Sequence, residues 1–172
     1  SALLINKSIN EIKARKLFGS VTKKITQGST PDLKVLEITV EERATGEITA
    51  GAGIGTDGTS FLFSVSENNW LGRGVKLNTM LNVSGEKISG NLSISNPNYN
   101  FTNNTVFTSI DVSRSDRSTT SGYKSSKQSF ELGTEFEQYE DVYLSPKISG
   151  KIENIKVDSA ASASVKKMEG NF

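Results

Sequence analysis

The sequence has 172 residues, 20 Lys and Arg against 19 Asp and Glu, a net charge of +1, 34% hydrophobic residues, and neither Cys nor His. The missing residue types exclude disulfides, thiolate nucleophiles, zinc–thiolate sites, Ser-His-Asp triads and imidazole ligands. The near-neutral charge argues against a nucleic-acid surface, which is normally strongly basic, and no run approaches the ~18 apolar residues of a membrane helix.

No basic segment followed by an apolar one opens the chain as a signal peptide would. From Ala2 to Phe18 the residues Leu4, Ile5, Ile9, Ile12 and Leu17 recur at helical spacing. Lys13, Arg15 and Lys16 complement the dipole at the helix end, and Gly19 is the expected C-cap. Ser8 and Glu11 have capping-box spacing, a competing helix start. Two strands are expected next, Val21–Gln27 and Lys34–Glu42, joined by the turn cluster Gly28-Ser29-Thr30-Pro31-Asp32. A helix and a hairpin are too small to bury a core alone.

From Gly46 onward the pattern has period two. Ile48, Ala50, Ala52 and Ile54 alternate with Glu47, Thr49, Gly51 and Gly53. Similar alternation runs through Phe61–Val65, Val75–Val83, Ile88–Ile94, Val106–Val112, Phe130–Glu137 and Val142–Ile152. Thr56-Asp57-Gly58 and Gly85-Glu86-Lys87 read as tight turns, and Ser113–Tyr123 as a long polar connection. Ala160–Phe172 carries only a weak strand signal. The sum is about eight strands, many near the ~9–11 residues that a tilted strand needs to cross a bilayer. A soluble sandwich also alternates, because one face is wet, so periodicity leaves sandwich and barrel both open.

Three motifs choose between them. Thr45-Gly46-Glu47-Ile48-Thr49-Ala50-Gly51-Ala52-Gly53-Ile54-Gly55 follows directly on the hairpin, Glu67-Asn68-Asn69-Trp70-Leu71-Gly72-Arg73-Gly74 lies between two later strands, and Asn96-Pro97-Asn98-Tyr99 ends another. In order and spacing these resemble BamA-type outer-membrane assembly proteins. The first is similar to the junction between the last POTRA (polypeptide-transport-associated) domain and barrel strand one. The second resembles the turn between strands two and three, and the third the turn after strand four. The resemblance covers essentially the whole chain. It implies a mainly β fold, an antiparallel up-and-down meander forming half of a transmembrane β-barrel, preceded by a truncated α+β POTRA remnant. Residues 1–45 would be the C-terminal part of a POTRA domain and 46–172 the N-terminal half of the barrel. The first strand and helix of the POTRA domain, and the barrel half that holds the family's Arg-Gly-Phe/Tyr motif, are missing from the match, so the chain reads as a fragment.

The resemblance implies a non-enzymatic function without cofactor or metal: folding and inserting other outer-membrane barrels. An exposed sheet edge in lipid is costly, so a seam that opens offers an edge for β-augmentation. The first strand, with Gly46, Ile48, Ala50, Gly51, Ala52, Gly53, Ile54 and Gly55, is the expected gate, since glycine weakens a strand and permits twist. The plainer reading of these glycines is barrel curvature or a tight fit under a neighbour. Asn68, Asn69, Trp70, Leu71, Gly72 and Gly74, with Asn96, Pro97 and Tyr99, are the motif turns. Trp70 suits a membrane interface or, equally, a cap on a small soluble core. The barrel reading turns Ile48, Ala50, Ala52, Ile54, Phe61, Phe63, Leu77, Leu81, Leu92, Ile110, Phe130 and Leu144 toward lipid.

Glu131, Glu135 and Glu137 form an acidic row, read as a solvated lumen face paired with Lys124, Lys127 or Lys151 in preference to a cation site. The sequons at Asn6, Asn82, Asn91, Asn100 and Asn103 are those an Asn- and Ser-rich chain produces by chance. The implied partners are unfolded outer-membrane proteins, accessory assembly lipoproteins and the bilayer, with no nucleic acid. The implied location is the outer membrane of a Gram-negative bacterium, with the POTRA part periplasmic. An isolated half barrel is also expected to pair its edges with another copy. Two alternatives stand beside this: a POTRA–barrel secretion transporter passing polypeptide through its lumen, and a soluble β-sandwich binding module or adhesin.

Overall fold

The computed structural model describes residues 2–55 and 58–172. The expected Thr56-Asp57-Gly58 turn therefore falls partly outside the described residues. The chain divides into two compact units between Gly46 and Glu47.

The first unit is a helix α1 (Ala2–Ala14) and an antiparallel hairpin of β1 (Phe18–Gln27) and β2 (Lys34–Glu42). The helix runs through Ser8 without a second start. It ends four residues earlier than its apolar spacing predicts, because Lys16 takes the left-handed conformation (φ 56°) that had been expected of Gly19. Gly19 instead lies in β1, where the register shifts between Phe18 and Ser20. In the hairpin turn the Gln27 side-chain amide donates to the carbonyls of Thr30, Pro31 and Leu33 at 2.6, 3.0 and 3.0 Å. Pairing Val21 with Val40 and Ile25 with Leu36 collects the apolar residues on one face. Ile9 of α1 and Val21 of β1 are buried, whereas Ile25, Leu36, Ile38 and Val40 stay exposed.

The second unit is one antiparallel sheet. It comprises β3 (Gly46–Gly55), β4 (Gly58–Trp70), β5 (Val75–Ser84), β6 (Lys87–Tyr99), β7 (Asn104–Arg117), β8 (Tyr123–Tyr139), β9 (Val142–Leu144), β10 (Lys147–Val157) and β11 (Gly170–Asn171). The spatial order is β11-β10-β8-β7-β6-β5-β4-β3, with β9 also on β8. This is a mainly β, open, up-and-down meander preceded by a helix and a hairpin. Strands β9 and β10 keep one register against β8, from Leu144 opposite Phe136 to Lys147 opposite Gly133. Pro146, which has no N–H to give, interrupts the ladder, yet its carbonyl still accepts from Thr134 N at 3.1 Å.

Two readings from the sequence are corrected here. Ser113–Tyr123 is not a long connection: Ser113–Arg117 continue β7, pair with Tyr123–Lys127 of β8, and leave a short turn. The tail from Ala160 carries a one-turn helix α2 (Ala163–Lys166) before β11 returns to pair with Asn154 and Ile155 of β10.

Gly133 is the tightest point of the sheet. It faces Phe107 across the β7–β8 pair, and a Cβ there would stand 2.4 Å from Phe107 Cζ and 3.0 Å from Lys147 Cβ. The ring covers the glycine backbone, a pairing that pins register. Gly133→Ala should lower the urea-unfolding midpoint by the equivalent of about 1–3 kcal/mol. The loss should shrink when Phe107 is already Ala, and equal losses in both backgrounds would show that the ring is not the obstacle.

Candidate functional site

Cross-strand partners share a face, so the register sorts the whole sheet. One face carries Phe61, Phe63, Leu77, Leu81, Ile88, Leu92, Ile94, Ile110, Val112, Phe130, Leu132, Leu144, Ile148 and Ile152. Among these are all eight residues of β4–β9 that the sequence turned toward lipid. The other face carries Ser64, Ser66, Asn78, Asn82, Asn91, Ser93, Ser109, Asp111, Ser129 and Glu131, with Leu62, Met80, Phe107, Ile155 and Val157 among its apolar exceptions. It is knit by Ser66 Oγ donating to Asn78 Oδ1 and Asn91 Nδ2 to Asp111 Oδ1, both at 2.7 Å.

On β4, β6, β7 and β8 the apolar side chains are the more exposed set. Phe61, Ile110 and Phe130 are 59%, 49% and 46% exposed, whereas Ser64, Asn91, Ser109 and Ser129 are half-buried. Strand β5 departs from this, with Leu77 half-buried and Asn78 and Met80 exposed. Among the described residues the only buried hydrophobics are Ile9 and Val21, both in the first unit. The sheet has no apolar interior of its own.

Strand β3 is the edge next to β4, and all ten of its residues are exposed. A Cβ at Gly53 would lie 3.7 Å from Ser60 Oγ, which puts Gly53, and by alternation Gly51 and Gly55, on the polar side. Ile48, Ala50, Ala52 and Ile54 then lie on the apolar side. A Cβ at Gly51 or Gly55 would meet nothing within 4 Å, and neither residue has a positive φ. Neither a tight fit nor a turn demands glycine at these two positions.

The two motif turns are one structure built twice, 29 residues apart. In each, the backbone N–H of the third residue donates to the side chain of the first: Asn69 N to Glu67 Oε1 (2.6 Å) and Asn98 N to Asn96 Oδ1 (3.1 Å). The side chain of that third residue then accepts from the eighth: Gly74 N to Asn69 Oδ1 (2.7 Å) and Asn103 N to Asn98 Oδ1 (2.9 Å). Positive φ falls at the same three positions, Leu71, Gly72 and Gly74 in one and Asn100, Phe101 and Asn103 in the other. Each turn follows a bulge that places two residues opposite one, between Glu67 and Trp70 and between Asn96 and Tyr99. A third register shift lies between Glu137 and Tyr139, where Glu137 Oε1 accepts from Asp141 N at 2.9 Å.

The bulges have a common effect. Without them Trp70, Tyr99 and Tyr139 would point to the polar face; with them these residues pair with Val75, Asn104 and Val142 on the apolar face. Three aromatic residues therefore border the apolar face at one end of the sheet, on alternate connections. Tyr139 was not singled out from the sequence. The signal available was the repeated sequence Glu/Asn-x-Asn-Trp/Tyr, which marks the first two turns.

The chain has been compared with known proteins. No protein-family model and no curated protein sequence matches it. Among solved structures it is similar to the crystal structure of BamA from Haemophilus ducreyi lacking POTRA domains 1-3, with a TM-score of 0.72 and 18% sequence identity. The sheet has the fold of part of a BamA barrel. The match covers 88% of this chain and 30% of that one, so this chain spans less than a third of the BamA structure it resembles.

Glu131, Glu135 and Glu137 share the polar face, but among the described residues none of them pairs with Lys124, Lys127 or Lys151. Glu131 pairs with Lys147 (3.0 Å), Lys124 with Asp116 (2.5 Å) and Lys151 with Glu153 (2.7 Å), while Glu137 caps its turn. The lysines named from the sequence are thus not the partners of Glu131. Among the described residues no three acidic side chains converge as a metal site would require.

The turns carry strain that glycine would relieve, since a left-handed L-residue costs roughly 1–2 kcal/mol. Phe101→Gly should stabilise the sheet by about 1 kcal/mol, and Asn98→Ala should destabilise it by about 1 kcal/mol through the lost backbone bond. Unfolding midpoints of both variants check this, and a stabilised Asn98→Ala would contradict the turn's hydrogen-bond logic.

Proposed function

We propose that this chain is a fragment of an outer-membrane assembly factor. In this reading residues 1–45 are the end of a POTRA domain and residues 46–172 the first half of a barrel, held in the outer membrane of a Gram-negative bacterium with the POTRA part periplasmic. The carrying observation is the inverted amphipathicity of the sheet: apolar side chains line its open face and polar ones its more enclosed face. A soluble sandwich buries its apolar face against a second sheet of similar extent, and the other sheet among the described residues is the two-stranded β1–β2 hairpin of the first unit. In a bilayer the same face needs no cover, and the polar face lines a wet lumen.

The activity is folding and insertion of other barrels without covalent chemistry. Strand β3 supplies the seam. Its glycines at 51 and 55 are required by no contact or turn, which supports a role in keeping the edge weak. An incoming strand of an unfolded outer-membrane protein would pair with that edge, β-augmentation being the chemistry that an unpaired ladder offers. Accessory lipoproteins would dock on the POTRA part. The same open edge makes pairing with a second copy the expected fate of the isolated chain.

Two variants at adjacent positions test the membrane placement. Ile110→Lys puts a cation on the apolar face and should weaken insertion into phospholipid vesicles by about 2–4 kcal/mol if the site lies near mid-membrane. Ser109→Lys, on the other face, should insert nearly as wild type. Equal effects of the two would defeat the barrel reading.

The seam is tested separately. Gly51→Val with Gly55→Val should firm the edge by roughly 1–2 kcal/mol in total. It should also reduce cross-linking between β3 and an unfolded barrel substrate. Undiminished cross-linking would remove the role given to these glycines.

A further inference from the structure

We propose that Arg114, Lys124 and Lys156 form a docking site for the phosphate groups of a membrane-lipid headgroup. The inference rests on the reading that the apolar face meets lipid, and it adds a ligand class to that face. Three strands, β7, β8 and β10, leave the apolar band in step. Val112, Gln128 and Ile152 are cross-strand neighbours. The next row on the same face is Arg114, Ser126 and Asn154, and the row after it is Asp116, Lys124 and Lys156. These two rows line a depression of about 600 Å³.

The charges of this cluster do not cancel. Asp116 binds Lys124 at 2.5 Å, which fixes the ammonium in place. Among the described residues Arg114 and Lys156 have no carboxylate within ion-pair distance. The cluster therefore keeps a net charge of about +2 from side chains fully ionised at neutral pH. Arg offers a planar fork that grips phosphate oxygens in pairs, and Lys a point charge.

Position selects the occupant. Lys or Arg on the lipid face is costly at mid-membrane and nearly free at the interface. The two rows must then lie at headgroup level, at the end of the sheet opposite Trp70, Tyr99 and Tyr139. An amphiphile with a phosphorylated head and acyl chains matches both parts of the surface, phosphate on the cations and chains along Val112 and Ile152. A free anion would use only the first part.

The test uses the full chain in nanodiscs of phosphatidylcholine, alone or mixed with diphosphoryl lipid A, and counts retained lipid A by native mass spectrometry. The double variants R114S/K156S and R114Q/K156Q should retain lipid A roughly tenfold or more weakly, given that each surface cation contributes modestly and near-additively. K127S/K151S, which removes two cations from the opposite face, should match wild type, and inorganic phosphate should not displace the lipid. Unchanged retention by both double variants would overturn the site while leaving the membrane reading intact. Displacement by inorganic phosphate would overturn the lipid assignment. A chain that stays out of the nanodiscs altogether would defeat the membrane reading and this inference together.

Discussion

The sheet of the second unit is one layer thick, and everything else about it follows from that. Its integrity comes from the backbone ladder, because no apolar side chain among the described residues of this unit is buried. In such a structure each side chain lies on one of two faces, and the register alone decides which. A slip of one residue in any strand would exchange the two sets, turning Phe130 and Leu132 inward and Ser129 and Glu131 outward. The fixed points that prevent this are local: Phe107 lying across Gly133, the side-chain bonds between β4 and β5 and between β6 and β7, and the bulged turns.

A ladder that carries the whole fold also makes its ends consequential. Along the β8–β10 border Pro146 costs one hydrogen bond but not the register, and β11 covers only a short stretch of β10 near Asn154. On the other side β3 has a neighbour in β4 alone. The two edges differ in composition as well as cover. Strand β10 carries paired charges such as Lys151 with Glu153, whereas β3 carries small residues and glycines that no contact requires. Of the two, β3 is the edge that gives less resistance to a new partner.

Much of this was legible in the sequence, for a physical reason. Period-two alternation over long strands states directly which residues share a face, so the common face of Phe61, Leu81, Leu92, Ile110 and Phe130 was legible before any register was known. The first unit's strand Lys34–Glu42 was legible in the same way. Helix and turn ends were harder. The end of α1 was misplaced because Lys16 adopts a conformation that propensity reserves for glycine, and Ser113–Arg117 were read as loop because a polar, paired strand end resembles a polar connection. The aromatic border was hidden for another reason. Trp70, Tyr99 and Tyr139 have the parity of the polar face in the sequence, and only an inserted residue in each strand moves them across.

That shift of parity and the basic rows define the same object from opposite ends. On β8 the apolar-face residues run from Phe136 to Gln128, nine positions along the strand. At ~3.3 Å per residue and the 35–45° tilt usual in a barrel, the proposed membrane reading gives this a height of roughly 20 Å. Extending to the aromatic row at Tyr139 and to the Arg114–Ser126–Asn154 row raises it to roughly 30–35 Å. An apolar band of about 25 Å flanked by interfacial residues falls between these bounds. Neither border could move far without penalty, because a cation shifted inward loses its hydration and an indole N–H or phenol shifted inward loses its water partner. On the proposed membrane reading, the bulges on one side and the change from Ile and Val to Arg, Lys and Asn on the other thus limit the slab of low dielectric that this sheet can tolerate.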